Sequence, residues 1–417
     1  MLQVMEKAQI PVVQPAAARI IGRATTGMWS IRCIDDLAAL QSVKDQWLEL
    51  ERSCDSPFAA FQCYAWCESW AKHNCNDTDS ASLRVRFIYK NAQLVAILPM
   101  MITYHLGARA LTLLGEPHSQ IANIMVHSGV DCTRGIRQCL QQMEQEERVD
   151  VVTLGPIPTG SPLIAAMNPK NISDDPAGYM SSVTWPSHWD QNDYVDSLKK
   201  NRRKDFKKKH RRLEELGKVA FYRRYGDDEE FSTLIDQAVA WKRDWVNWNK
   251  IVSVGLSYAN IVDFLAGCLA RSKEFQLETE VLSLNGSPIA ICINLVGKGM
   301  RNCYLSAYDP IFANLSPGTL IHQLAIQNSI KDGDRAYNFL GFPTPFKDMW
   351  SNQSHTLVRY QRPLTLRGKI WLLVWVNKLR PLAKFLVSKL HSVKLLLPLV
   401  TITRSLVVKL TGKSIAS

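Results

Sequence analysis

Asn302-Cys-Tyr-Leu-Ser-Ala-Tyr-Asp-Pro-Ile-Phe-Ala-Asn-Leu-Ser-Pro-Gly-Thr319 reads as a strand that ends at a turn and then opens a helix. The strand pattern covers Asn302 to Ala307, the turn is Tyr308-Asp-Pro310, and helical spacing runs on from Gly318 to about Asp332. A second strand follows over Arg335 to Leu340, and a hairpin over Leu277 to Leu284 and Pro288 to Val296 precedes the stretch. Antiparallel strands followed by a helix that returns to a strand beside them give an α+β sheet with a crossover.

Part of this pattern occurs twice. Asn91-Ala-Gln-Leu-Val-Ala96 lies between strand-like runs as Asn285-Gly-Ser-Pro-Ile-Ala290 does, and Leu154-Gly-Pro-Ile-Pro158 matches Leu340-Gly-Phe-Pro343. Loop insertions account for the unequal spacing, so the reading is a duplicated unit. The first copy has an opening strand at 28–34, helical spacing through Leu37, Leu40, Val43, Trp47 and Leu50, and a helix from about Arg134 to Glu146. The second opens with a helix expected over Tyr194 to Leu216, stopped by Gly217. The divisions are a flexible N-terminus 1–26, a first half 27–165, a linker 166–189 rich in Pro, Gly and Ser, a second half 190–362 and a tail 363–417.

The 417 residues are 46% hydrophobic, enough to build packed cores, and carry a net charge of +12. Twelve Lys and Arg and no acid follow Asp348, so the preceding residues balance and the tail holds the excess. Ten cysteines lack CxxC pairs, and residues 1–26 hold no apolar signal core, so a reducing cytoplasm is expected. Cys63, Cys67 and Cys75 beside His73 have the spacing of core thiols in a packed helix, and no metal is expected. The tail mixes Ile370, Trp371, Leu372, Leu373 and Trp375 with spaced bases, a helix pattern bent at Pro381 and Pro398. Its charge-free runs are too short to span a bilayer, so residues 369–417 are expected to lie on an anionic membrane surface or to dock on a partner of a synthesis complex.

The turn before the helix is suited to an anion, because free backbone N–H groups and the helix dipole converge there and Gly318 admits a close ligand. Ser316 as a cap with Pro317 in the first turn is also an ordinary helix start with no ligand. Ten bases between Lys199 and Arg212 face only Asp205, a density suited either to a solvated helix face or to a polyanion.

Leu305-Ser-Ala-Tyr-Asp-Pro310, Leu315-Ser-Pro-Gly-Thr319, Gly333, Phe339-Leu-Gly341 and Phe346-Lys-Asp-Met-Trp350 together resemble the GNAT-type acyltransferase domain of the BioF2-like, or CelD-like, family. That family is akin to the Fem-type aminoacyltransferases. The similarity covers about residues 190–350 and, more weakly, the first unit. It implies tandem GNAT-like domains and an acyl-CoA donor, acetyl-CoA or another, lying in a splay between two central strands. By resemblance Ser316, Pro317, Gly318 and Thr319 hold the pyrophosphate. Asp309 is the candidate base, Tyr308 the acid or orienting group and Tyr304 a second acid. Lys347 and Asn338 are candidate substrate-binding residues, Asn338 standing where the family often has Asp. The expected reaction is N-acetyl or other acyl transfer to an amine or hydroxyl of a sugar or cell-envelope precursor, in the cytoplasm or on the inner face of the cytoplasmic membrane. Two alternatives are a transferase that draws on aminoacyl-tRNA, gripped by residues 199–212, and a non-catalytic scaffold of a polysaccharide-synthesis complex.

Overall fold

The computed structural model of the chain describes residues 20–21, 28–75, 81–251, 253–268, 274–379 and 382. The strands up to residue 184 are β1 Ile20–Ile21, β2 Trp29–Ile34, β3 Ala81–Leu83, β4 Val85–Lys90, β5 Gln93–Leu98, β6 Met100–His105, β7 Ala108–Leu113, β8 Met125–Val126, β9 Val151–Pro158 and β10 Ile172–Thr184. The second half adds β11 Val219–Tyr225, β12 Phe275–Leu284, β13 Ser287–Gly297, β14 Met300–Tyr308, β15 Ala336–Asn338 and β16 Gln353–Pro363. They form a five-stranded sheet, β1-β2-β4-β5-β8, and an eleven-stranded sheet, β11-β12-β13-β14-β15-β10-β16-β9-β7-β6-β3.

The duplication is visible in the strand pairing. In the first unit β7 leads through the helix Thr133–Glu146 to β9 and pairs with it in parallel, Ala110 opposite Val151. In the second, β14 leads through the helix Pro317–Lys331 to β15 and pairs in parallel, Met300 opposite Ala336. The preceding hairpins turn on left-handed asparagines, Asn91 at φ 50° and Asn285 at φ 51°, a conformation that Asn tolerates better than most residues.

The linker expected at 166–189 is not one. Residues 172–184 are β10, which sits inside the large sheet between β15 and β16. Pro176 and Gly178, which suggest a loop in the sequence, fall in the register break of β10 between Asp174 and Tyr179. Because β16 then pairs with β9 of the first unit, the two halves share one continuous sheet. The helix expected over Tyr194 to Leu216 is two, Gln191–Ser197 and Lys200–Glu214, parted at the extended Leu198 and Lys199.

One core joins the halves: Phe61, Trp66 and Trp70 of the first pack with Phe264, Leu305 and Ala307 of the second. Cys63 and Cys67 are buried in it, and burial pushes both thiols well up, as expected of inert core cysteines. A separate core under the helix Pro317–Lys331 contains Cys292, Cys303, Ile321, Ala325, Tyr337 and Trp350. Beside it the buried Arg301 reaches Glu278 at 2.9 Å, Glu280 at 3.1 Å and Asp332 at 2.7 Å, joining β12 and β14 to the end of that helix. After β16 the chain forms the helix Leu366–Ile370, continued with wider turns over Trp371–Leu379. Among the described residues no helix is long and apolar enough to cross a membrane. The rest of the expected amphipathic tail, 383–417, lies outside the described residues.

Candidate active site

The parallel pairing of β14 and β15 stops at Asn302 opposite Asn338, yet β14 runs six residues further to Tyr308. Two features of the sequence part the strands there. On β14 the register against β13 slips, Cys303 facing Asn294 but Leu305 facing Ile293, so Tyr304 is the extra residue of a bulge; a bulge bends its strand and sharpens its twist. On the β15 side Asn338 Oδ1 accepts from Leu340 N at 3.0 Å, and Leu340 and Gly341 take left-handed φ values of 49° and 55°, which turns the chain away. The two strands part beyond the rung of Asn302 and Asn338, leaving a gap in their pairing.

The bulge also sorts the side chains of β14. Cys303, Ser306 and Tyr308 face the helix Pro317–Lys331, whereas Tyr304, Leu305 and Ala307 face the core shared with the first unit. Tyr304 therefore packs edge-on to Trp66 at 5.3 Å, and burial raises its phenol. Tyr308 lies on the opposite face against the helix start. The two candidate acids are not together.

At the end of β14, Asp309 Oδ1 accepts from Ile311 N at 2.9 Å, capping the short helical turn Pro310–Leu315. Ser316 follows in the left-handed conformation at φ 56°, with no side-chain cap bond, and Pro317 occupies the first helical turn. The N–H groups of Thr319 and Leu320 turn back to Ser316 O at 3.0 and 3.3 Å. The Gly318 N–H finds no acceptor among the described residues, so this amide can take an anion. A Cβ on Gly318 would stand 3.1 Å from Tyr308 Cδ1, so the ring and a ligand both favour the bare backbone.

Deeper in the gap, groups that are distant in sequence converge. Gln120 of the first unit donates to Tyr304 O at 3.0 Å, and Lys242 of the helix Phe231–Trp248 donates to Ser306 O at 3.1 Å. Lys347 Nζ donates to Leu340 O and stands 3.4 Å from where a Cβ of Gly341 would be. Burial, reinforced by Lys242, pushes the Lys347 ammonium down to about 8. His322, one turn beyond Gly318, meets Tyr337 Oη at 3.0 Å through Nδ1 and Ser306 Oγ at 3.2 Å through Nε2. Burial and the two nearby lysine cations push it down to about 3, so it is neutral near pH 7. Cys292, Cys303 and His322 bring ligand-type atoms within 4.8 Å of one another, but both imidazole nitrogens are already engaged by Tyr337 and Ser306.

Asn338 is fully buried, and its amide donates to Asn302 Oδ1 at 3.1 Å. It holds the apex of the gap. The basic helix Lys200–Glu214 runs beside the Pro310–Leu315 turn, anchored by Arg202, whose guanidinium lies 4.3 Å above the Trp350 ring and donates to Met349 O. Lys200, Lys204, Lys207, Lys208 and Arg212 remain exposed there. Gln120, Lys242, Ser306 and His322 are the site groups the sequence does not single out. Only His322 carries a local signal, its place four residues after Gly318 on one helix face.

Residues 200–348 match the family model described as the acetyltransferase (GNAT) domain. Among curated proteins none matches. The crystal structure of FemX is similar with a TM-score of 0.57 at 8% identity, over 79% of this chain and 98% of that one. The C-terminal (DUF2156) domain of a protein from Agrobacterium fabrum, named as a lysylphosphatidylglycerol synthetase, is similar with a TM-score of 0.51 at 11% identity, over 80% of this chain and 96% of that one. At these identities the two likenesses concern the fold.

Proposed function

We propose that the GNAT domain of residues 200–348 is an acyl-CoA-dependent acyltransferase, in the first instance an N-acetyltransferase, acting on an amine or hydroxyl of a sugar or cell-envelope precursor. The observation that carries this reading is the gap that opens between β14 and β15 beyond Asn302 and Asn338, with the bare Gly318 amide at its mouth. Gly318 N–H and the dipole of a 15-residue helix bind the pyrophosphate, with Ser316, Pro317 and Thr319 shaping the turn. The exposed bases of the helix Lys200–Glu214 add long-range attraction for the polyanionic donor.

Attack of the acceptor nitrogen or oxygen on the thioester carbon makes the new bond as the carbon–sulfur bond breaks. Asp309, through the carboxylate oxygen not committed to Ile311, takes the acceptor's proton, and Tyr308 gives its phenolic proton to the departing sulfur. Lys347 lends positive charge to the donor or to the carbonyl oxygen at the inner end of the gap. Neutral His322, fixed between Ser306 and Tyr337, keeps β14 and the helix in register as a positioning residue. The first unit closes the acceptor side through Gln120, and residues 369–417 hold the protein on an anionic membrane surface.

Calorimetric titration with acetyl-CoA tests the donor site. Binding in the parent protein and its loss in a folded Gly318→Asp variant support the reading. Absence of acetyl-CoA binding, with steeply salt-dependent binding of tRNA instead, would turn it toward an aminoacyl-tRNA donor. Binding of neither would leave a scaffold.

A further inference from the structure

The helix Leu366–Ile370 and its continuation to Leu379 are apolar on two sides. The inner side is seated on the first unit. A Cβ on Gly368 would come within 1.9 Å of Asp150 O, so the helix backbone lies directly on the chain at β9. Leu372 packs with Ala110 and Val151, and Trp375 is also buried. The outer side has no such cover. Leu366 is 74% exposed, Ile370 54%, Leu373 52% and Val374 44%. Leu106, 44% exposed in the turn between β6 and β7, lines an open groove of about 460 Å³ together with Leu366, Ile370 and Val374, whereas Leu373 is exposed on the same helix outside that lining.

A helix apolar on two sides ordinarily has both of them covered, and a contiguous apolar surface of this kind marks an interaction site. The charges around it name the occupant. Arg367, Lys369 and Lys378 are exposed along the same helix, the lining of the groove contains no acid, and no acid follows Asp348 in the chain. An apolar strip bordered by cations alone fits the boundary between phosphate headgroups and acyl chains, where apolar side chains enter about 5–10 Å while Lys and Arg stay with the phosphates.

We propose that the turn between β6 and β7 and the helix 366–379 form one insertion edge by which the folded body enters an anionic bilayer. The proposal rests on the membrane reading of the tail and adds to it a second point of entry, Leu106, from the first unit. The helix lies flat in the interface, since over its described residues, 366–379, it is too short to cross.

The test is sedimentation of the full chain with phosphatidylcholine vesicles, with and without phosphatidylglycerol, for the parent protein, Leu106→Asp/Ile370→Asp, and a variant lacking residues 383–417. The parent is expected to pellet with the anionic vesicles and not with the neutral ones. The double variant, both changes lying on exposed positions, is expected to lose at least about tenfold in vesicle affinity while its melting temperature holds. Parent-like pelleting of the double variant overturns the edge. If in addition only the truncated protein is released, the tail reading survives alone. A parent that pellets with neither vesicle overturns both, and a parent that sediments as a dimer, dissociated by the double variant, assigns the groove to a second copy and overturns the proposal. Acetyl-CoA titration of the double variant reports separately on the donor site.

Discussion

Asn338 donates its side-chain amide to Asn302 Oδ1 at 3.1 Å across the last rung at which β14 and β15 run side by side. Asn302 in turn donates to Leu295 O at 3.1 Å, and Asn338 Oδ1 accepts from Leu340 N at 3.0 Å. Three strands and the start of the outgoing loop are thereby tied at the point where the gap begins. In Asn338→Leu two buried groups, Asn302 Oδ1 and Leu340 N, lose their partner, each costing about 1–3 kcal/mol. Urea unfolding should show a loss of about 2–6 kcal/mol in total. Asn338→Asp keeps the acceptor for Leu340 N but sets a carboxylate oxygen against Asn302 Oδ1, so it should also destabilise, by less than the leucine.

Gly318 and Tyr308 make a second prediction. In Gly318→Ala the new methyl would stand 3.1 Å from the Tyr308 ring, a clash a small ring movement relieves. The fold should survive, since alanine suits a helix better than glycine does. The ring, however, is displaced toward the mouth of the gap, and acetyl-CoA affinity should fall about tenfold, roughly 1.4 kcal/mol. Calorimetry on the variant checks this, and unchanged affinity would remove the turn from the donor site.

Lys347 sets the pH dependence. Its ammonium is held down to about 8 by burial and by Lys242, against an ordinary value of 10.5. Below about pH 8 it is charged and available to the donor, so affinity for acetyl-CoA should fall as pH rises through about 8. Lys347→Met should bind weakly and show no inflection there. The same depression means that the unfolded chain binds the extra proton between about 8 and 10.5, so this residue's contribution makes stability rise with pH across that window. Titrations and melts at several pH values separate the two effects.

The local pattern at 302–319 was enough to read strand, turn and helix, because hydrophobic alternation, Asp-Pro and Ser-Pro-Gly are signals carried by neighbouring residues. The repeated asparagine turns were legible for the same reason. What could not be read was set by partners far along the chain. Strand β10 looks like a linker because its polar, proline-containing sequence is stabilised by β15 and β16, more than 150 residues away at Asn338 opposite Ser182. Gln120 reaches the site across a separation of 184 residues. The bulge at Tyr304 depends on how β13 is offset, and it reverses the faces of the residues after it, so that Tyr308 lies opposite Tyr304 instead of on the same face.

Buried His322 should make the protein acid-sensitive. Its folded value is pushed down to about 3, below the 6.5 of an unfolded chain, so the unfolded state binds more protons between these limits. The sign is a loss of stability as pH falls from about 6.5 toward 3. Between pH 7 and 5 that amounts to about 2 kcal/mol for this one group. His322→Gln, which retains a donor and an acceptor near Ser306 and Tyr337, should be less stable at pH 7 yet lose less on acidification. Equal acid slopes in the two proteins would mean that other groups carry the transition.

Arg301 is the group on which the carboxylates beneath the helix depend. Glu278 and Glu280 have no exposure, and Arg301 is 1% exposed. Desolvating three charges costs more than a surface pair could return, and the arrangement stands because the guanidinium serves Glu278, Glu280 and Asp332 together. Arg301→Met preserves much of the packing volume but removes the ion-pair partner of buried Glu280 and leaves Glu278 with Arg223 at 3.7 Å, while Asp332 keeps its pair with Arg223. A loss of about 3–5 kcal/mol is expected. It should be smaller at low pH, where Glu278, raised by burial to about 7, is protonated and no longer needs the charge, so chemical unfolding at pH 7 and pH 5 provides the check. Because Asp332 closes the C-terminal end of the helix whose other end carries Gly318, the variant should also weaken acetyl-CoA binding without touching the donor turn. A stable variant with parent-like binding would show that this end of the helix is held by the apolar core alone.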